Sequence, residues 1–97
     1  MINKIEMNIP NYKVFINNGK CTINDIEKSI TQEDIDSILR TIRFWDNKYI
    51  GNGIKEEDYT ILLYEDDEIV GEYLFDRKFP DDFYLLLEII GGIYARG

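Results

Sequence analysis

The clearest local signal in this 97-residue chain is the run Val14-Phe15-Ile16-Asn17-Asn18-Gly19-Lys20-Cys21-Thr22-Ile23. Two short segments of strand-forming residues flank Asn18-Gly19, a dipeptide that readily adopts the positive φ angles of a type I′ turn. The run therefore predicts a hairpin with a two-residue loop, in which Asn17 faces Lys20. Because side chains alternate along a strand, one face of this hairpin carries Val14, Ile16, Cys21 and Ile23. We expect that face, and Cys21 with it, to lie in the core.

A strand precedes this hairpin and a helix follows it. Apolar Ile5, Met7 and Ile9 alternate with polar residues, which is the period of a half-buried strand, and we expect this strand to end at Pro10. Thr31 and Asp34 form a variant of the capping box, and the apolar spacing beyond them predicts a helix that runs to about Asp46. The buried face of this helix consists of Ile35, Ile38, Leu39, Ile42 and Trp45.

Phe44 does not belong to that buried face. It lies about 180° around the helix from Ile35, on the same side as Ser37 and Arg40. A large aromatic side chain in this position needs cover, either from a loop of the same chain or from a partner molecule. We expect the loop and keep the partner as the alternative.

The second half of the chain predicts another hairpin. Residues 46–58 contain two glycines and no sustained period, so they predict a long connection. Residues 59–76 then predict a hairpin with Asp66-Asp67 at its tip and Tyr64 opposite Ile69. One face of this hairpin carries Leu62, Tyr64, Ile69, Tyr73 and Phe75, and the other carries Tyr59, Ile61, Leu63, Val70 and Leu74 with Glu65, Glu68 and Glu72.

A second helix is expected near the end of the sequence. Pro80 followed by Asp81 and Asp82 is typical of a helix start, and Gly91-Gly92 is typical of a helix end. This helix is apolar around most of its circumference, because Leu85 and Ile89 lie on a flank away from its core stripe. It is therefore either deeply buried or part of an interface.

This order of elements predicts residues 1–97 as a single α+β domain of two layers. We expect an antiparallel sheet of four to five strands with two helices on one face. A hairpin followed by a helix occurs twice in the order, which amounts to a ββα unit repeated twice without visible residue identity.

The composition argues against most catalytic and metal chemistry. The sequence contains no histidine, which removes Ser-His and Cys-His nucleophile pairs and most mixed Cys and His zinc sites. We therefore expect no enzyme activity, no cofactor and no metal. Cys21 is the only cysteine, and no apolar run resembles a signal peptide or a membrane span, so the expected location is cytoplasmic.

Negative charge is concentrated in the second half of the chain. The formal net charge is −8, which disfavours direct binding to nucleic acid or to an anionic membrane. Residues 1–49 hold seven acidic and seven basic residues, whereas residues 50–97 hold twelve acidic and four basic residues. The candidate partner-binding residues are Glu56, Glu57, Asp58, Tyr64, Glu65, Asp66, Asp67, Glu68, Glu72, Asp81 and Asp82.

This acidic segment is either a solubilising surface or an interface for a basic protein. Carboxylates beside tyrosines bind Arg and Lys through charge-assisted hydrogen bonds and rigid aromatic contact area. In size, acidity and lack of catalytic residues the chain resembles small bacterial and phage inhibitors, namely toxin-neutralising immunity proteins and anti-restriction or anti-CRISPR proteins. The resemblance is one of composition and rests on no specific motif.

The resemblance implies a non-enzymatic inhibitor that acts as a nucleic-acid mimic. Its acidic surface would occlude a basic protein partner, such as a toxin, a nuclease or another nucleic-acid-binding protein. The alternative is a structural or assembly module that self-associates, as a homodimer through Leu85 and Ile89 or through an exposed strand edge.

Overall fold

The computed structural model describes residues 1–54 and 58–96 and contains strands and helices in an α+β arrangement. Their bounds are β1 Lys4–Ile9, β2 Tyr12–Asn17, β3 Lys20–Ile23, β4 Ile26–Lys28, α1 Gln32–Ile42, β5 Lys48–Ile50, β6 Tyr59–Glu65, β7 Glu68–Asp76 and α2 Phe83–Tyr94. The strands form a seven-stranded sheet in the order β4-β3-β2-β1-β6-β7-β5. Neighbouring strands are antiparallel except β5, which is parallel to β7.

The α+β class is confirmed, but the expected sheet is corrected. The described chain has seven strands in a mixed sheet rather than four to five antiparallel strands. The two additional strands, β4 and β5, are three residues long each, which is too short for a period-2 pattern to stand out. Because β4 and β5 interrupt the expected order, the element order does not confirm a repeated ββα unit.

Tight turns with positive φ angles join the strands. Asn18 and Gly19 have φ angles of 50° and 81°, and the register pairs Asn17 with Lys20 and Val14 with Ile23 as predicted. Asp66 and Asp67, with φ angles of 50° and 67°, make the corresponding turn between β6 and β7. Asn and Asp accommodate this conformation because their short polar side chains form local hydrogen bonds. Both predicted hairpins are therefore confirmed.

A β-bulge in the second hairpin corrects the predicted facing of β7. Tyr64 pairs with Ile69 as expected, but Leu63 then pairs with Gly71 instead of Val70. The extra residue shifts the rest of β7 by one position, which moves every following side chain to the other face. As a result, Tyr73 and Phe75 lie on the same face as Ile61 and Leu63, and Glu72 and Leu74 lie on the face of Tyr64.

The core lies between one face of the sheet and the two helices. Cys21 is 2% exposed, as predicted, and its burial raises the pKa of its thiol. Phe75 contacts aromatic rings from β5, α2 and the segments that follow α1 and β7. The buried set is Ile5, Met7, Ile9, Val14, Ile16, Cys21, Ile23, Ile38, Ile42, Trp45, Ile61, Leu63, Phe75, Phe83, Leu86, Ile90 and Ile93.

The first helix begins as predicted but is shorter than expected. The Thr31 hydroxyl accepts a hydrogen bond from the Asp34 N–H at 3.1 Å, and the Asp34 carboxylate accepts one from the Thr31 N–H at 2.8 Å. This reciprocal pair is the capping box. The helix ends at Ile42 rather than near Asp46.

The second helix passes through the glycine pair instead of ending there. It continues to Tyr94. A Cβ atom at Gly91 would lie 3.1 Å from the Tyr12 hydroxyl oxygen. The glycine at position 91 therefore allows α2 to approach β2 closely, and the expected helix stop is wrong. No helix of the described chain is long and apolar enough to cross a membrane.

Candidate protein-binding surface

The most concentrated negative charge lies at the turn between β6 and β7. We call Glu65, Asp66, Asp67 and Glu68 the acidic tip. Asp66, Asp67 and Glu68 are exposed, and within residues 1–54 and 58–96 none of the three forms an ion pair. Glu65 pairs directly with Glu68 across the hairpin, and its carboxylate contacts the Met1 amino group. Like charges in this position destabilise strand pairing.

Asn3 holds the acidic tip in place. Its N–H donates to the Tyr64 carbonyl at 3.1 Å, and its side-chain oxygen accepts a hydrogen bond from the Asp66 N–H at 3.2 Å. Its own carbonyl accepts a hydrogen bond from the Asn18 N–H at 3.0 Å. Asn3 therefore joins the turns of the two hairpins. The sequence offered no signal for this role, because the contacts of Asn3 with Tyr64 and Asp66 cross more than sixty residues.

Tyr64 lies beside the acidic tip on the sheet face that faces away from the helices. Its hydroxyl donates to Glu6 at 3.2 Å, and the Lys4 ammonium lies 4.1 Å from the centre of its ring. Partial burial and the hydrogen bond to Glu6 raise the pKa of Tyr64. Tyr64 is thus half-buried and engaged by its neighbours, so it offers only part of its ring to a partner.

The structure does not bring the remaining candidate residues together with the acidic tip. Asp58 and Asp81 lie towards the opposite end of the β6–β7 hairpin, about 25 Å away if β7 rises at the usual 3.3 Å per residue. Asp82 is half-buried and accepts a hydrogen bond from the Trp45 indole N–H at 2.7 Å. Glu72 is exposed and lies between the two ends, on β7. Glu56 and Glu57 lie outside the described residues.

Two further acidic residues are neutralised within the chain. Asp76 is 6% exposed, and Arg77 donates to both of its carboxylate oxygens at 2.9 Å. Arg96 donates to the Asp34 carboxylate at 2.6 and 2.9 Å. Asp76 is one of the acidic residues that crowd the second half of the sequence, and it contributes nothing to the surface charge. Sequence reasoning could not separate it from the exposed acids, because only its position in the sheet buries it.

The ion pair between Arg96 and Asp34 predicts a pH-dependent stability. Hydrogen bonding to Arg96 is the main cause that holds the pKa of Asp34 well below its ordinary value. A lowered folded-state pKa stabilises the fold above the ordinary value, and this contribution declines as the pH falls from about 4 towards the lowered pKa of the folded state. Arg96→Gln is therefore expected to lower the thermal midpoint by a few degrees at pH 7 and by much less near pH 2.

The control for this measurement is Arg40→Gln, because Arg40 donates to Ser37 and forms no ion pair within the described part of the chain. The Arg40 variant should track the wild type at both pH values. An Arg96→Gln effect that stays constant between pH 7 and pH 2 would contradict the assignment.

A second exposed feature is a groove between the outer sides of α1 and α2. Phe44 is 81% exposed, so the expected cover by a loop of the same chain is wrong. The Arg43 guanidinium lies 4.4 Å from the centre of its ring. Leu85 and Ile89 lie on the α2 side of the groove, and the side chains of both are at least partly exposed to solvent. The lining residues are Ser37, Arg40, Thr41, Phe44, Asp82, Leu85 and Ile89.

Neither feature resembles a metal centre. Among residues 1–54 and 58–96, no group of three or more His, Cys, Asp or Glu side chains is placed to hold a metal ion.

Comparison with known proteins finds no family model that matches the chain, no similar curated protein and no matching solved structure.

Proposed function

We propose that this protein is a small, non-enzymatic inhibitor that binds a basic, nucleic-acid-handling protein through its acidic tip. One observation carries the proposal. Three carboxylates, those of Asp66, Asp67 and Glu68, are exposed on a two-residue turn and have no ion-pair partner among the described residues. Their unneutralised charge is available to Arg and Lys side chains of another molecule.

The geometry of the tip favours binding in two ways. The positive-φ turn and the Asn3 hydrogen bonds hold the carboxylates in place before binding, which reduces the entropy lost on association. The local charge also speeds association with a basic surface, since opposite fields steer the encounter of two proteins. A basic site built for phosphates would accept these carboxylates in place of its substrate, as in the immunity, anti-restriction or anti-CRISPR classes of inhibitor.

The like-charged pair of Glu65 and Glu68 gives further support. Directly opposed carboxylates weaken a hairpin, and a Lys at either position would strengthen it. A solubilising surface needs no such pairing, because the same charges dispersed over the molecule give equal solubility. The Met1 amino group compensates Glu65 within the chain, so the carboxylate that a basic partner would explain is that of Glu68.

The proposal is tested in two stages with the full chain. Wild-type protein and a tip variant, described in the Discussion, are immobilised and used to recover basic proteins that elute with salt. The wild type is then added to the recovered partner in a nucleic-acid binding or cleavage assay. We expect stoichiometric inhibition by the wild type only. Equal recovery by both proteins, or a partner that retains its activity when saturated, would refute the proposal.

A second candidate function is self-association through the groove between α1 and α2. The exposure of Phe44 beside Leu85 supports it, because an exposed aromatic ring at the edge of a groove that contains Leu85 and Ile89 can insert into the same groove of a second copy. In this candidate function the protein is an assembly module, and the groove of a second copy buries the Phe44 side chain.

Sedimentation distinguishes the two candidates. If the groove is a dimer interface, the wild type sediments as a dimer at micromolar concentration and Leu85→Glu or Phe44→Glu converts it to a monomer. Tyr84→Glu serves as the control, because Tyr84 is exposed on α2 but does not line the groove. A monomeric wild type at this concentration would rule out the second candidate and leave the inhibitor proposal untouched.

A further inference from the structure

The outer edge of β7 is only partly covered. Strand β5 pairs with Leu74, Phe75 and Asp76 alone, although β7 is nine residues long. Within the described chain, no strand lies against the outer edge of residues 68–73. This half of β7 therefore forms a free sheet edge next to the acidic tip.

The backbone of this edge has hydrogen-bonding groups that point away from the sheet. The Leu74 N–H donates to the Asn47 carbonyl at 2.8 Å, so it faces outward from β6. Backbone groups alternate in direction along an antiparallel strand, so the N–H and carbonyl of Glu72 also face outward. Because the Glu72 N–H takes no part in the β6–β7 ladder, it is available to an incoming strand.

The side chains along the edge define what kind of strand it accepts. Ile69 and Val70 are 52% and 53% exposed, which provides apolar contact area for an extended segment. Glu68 and Glu72 flank them. A second copy of this chain would bring its own Glu68 and Glu72 against the same residues, and like charges oppose such pairing. A strand that carries Lys or Arg is instead attracted by the carboxylates of Glu68 and Glu72.

We propose that this edge binds an extended basic segment of the inhibited protein as an additional strand. Main-chain hydrogen bonds to the outward N–H and carbonyl of Glu72 hold the segment, and Ile69 with Val70 packs against its apolar side chains. Glu68, Glu72 and the acidic tip select Lys and Arg. This inference rests on the proposed function and adds the binding mode and the form of the partner that it recognises.

The test separates the backbone contribution from the charge contribution at one position. Glu72→Ala removes the carboxylate and keeps the N–H, whereas Glu72→Pro removes both. Proline is tolerated on an edge strand where its nitrogen faces outward, so the variant leaves the β6 pairing intact. The probe is a synthetic peptide of alternating lysine and valine with blocked ends.

We expect Glu72→Ala to weaken peptide binding about threefold and Glu72→Pro to weaken it by at least about a further tenfold. Exchange of the Glu72 amide proton should slow when the peptide binds the wild type. The same peptide with an N-methyl group on every residue should not bind, because neither of its edges then carries N–H donors. This last measurement uses the wild type and is independent of how the proline variant folds.

Equal affinities of the alanine and proline variants, or undiminished binding of the N-methylated peptide, would overturn the edge proposal. Those outcomes leave the proposed function intact if the tip variant fails to bind the basic partner that the wild type recovers. Conversely, a tip variant that binds and inhibits the recovered partner as well as the wild type would refute the proposed function, whatever the peptide does.

Discussion

Removal of the negative charge of the acidic tip is expected to weaken binding of the basic partner by about 10- to 100-fold at low ionic strength. The variant combines Asp66→Asn, Asp67→Asn and Glu68→Lys. Asparagine keeps the turn, since it tolerates the positive φ angles of positions 66 and 67 as well as aspartate does. The loss of affinity should lie mainly in the association rate and should fade as salt is raised, because surface charges are screened.

A matched control carries the same change in net charge at sites far from the tip. Glu27→Lys with Glu88→Lys adds four positive charges to the net total, as the tip variant does, and both residues are exposed. We expect the control to bind within about threefold of the wild type. If both variants lose affinity equally, net charge rather than the acidic tip governs binding, and the candidate surface is wrong.

The same tip variant is expected to be slightly more stable than the wild type. Glu68→Lys replaces a like-charged cross-strand pair with an opposite-charged one, which is worth a few tenths of a kcal/mol. Stability and affinity should therefore move in opposite directions. A thermal unfolding curve would show whether the variant is misfolded, because misfolding would also abolish binding.

Truncation of Phe75 is expected to be the most destabilising single change, lowering the free energy of unfolding by about 3–5 kcal/mol in Phe75→Ala. The side chain is fully buried. Its ring lies 5.3 to 5.9 Å from those of Trp45, Tyr49, Phe79 and Phe83. Small domains are typically stable by about 5–15 kcal/mol, so this loss is a large part of the total.

Trp45 supplies the measurement, because it is the only tryptophan and is buried next to Phe75. Urea titration followed by its fluorescence gives the free energy of unfolding for each variant. Phe15→Ala is the control, since Phe15 lies on the sheet face away from the helices and is partly exposed. It should cost about 1 kcal/mol or less. A Phe75→Ala cost below that of the control would contradict the packing described above.

Local chemistry made the turns predictable. Asn18-Gly19 and Asp66-Asp67 adopt the positive φ angles that their side chains allow, and Thr31 caps its helix as the spacing indicated. The bulge was not predictable, because the alternation of residues 59–76 fits two registers that differ by one residue. Gly71 is where they diverge: a Cβ atom there would lie 2.9 Å from a methyl carbon of Leu63.

The candidate surface was only partly predictable for a related reason. Composition located the acidic excess, and the hairpin turn placed the four tip residues together. Composition could not show that Asp81 lies at the far end of the hairpin, or that Asp76 is buried against Arg77. Helical spacing placed Phe44 away from the buried face of α1, but its exposure was not predictable, because exposure depends on where the neighbouring loops pass.

The central position of β1 has a consequence for how the chain reaches its native state. The β2–β3 and β6–β7 hairpins need only nearby residues, and isolated hairpins form within microseconds. β1 lies between them, and its Lys4 pairs with Tyr64, sixty positions later. Closing so long a loop is slow relative to hairpin formation. β1 itself forms a hairpin with β2 across the short turn between Ile9 and Tyr12. We therefore expect the rate-limiting step of folding to be the docking of the β1–β2–β3 strands against the β6–β7 hairpin.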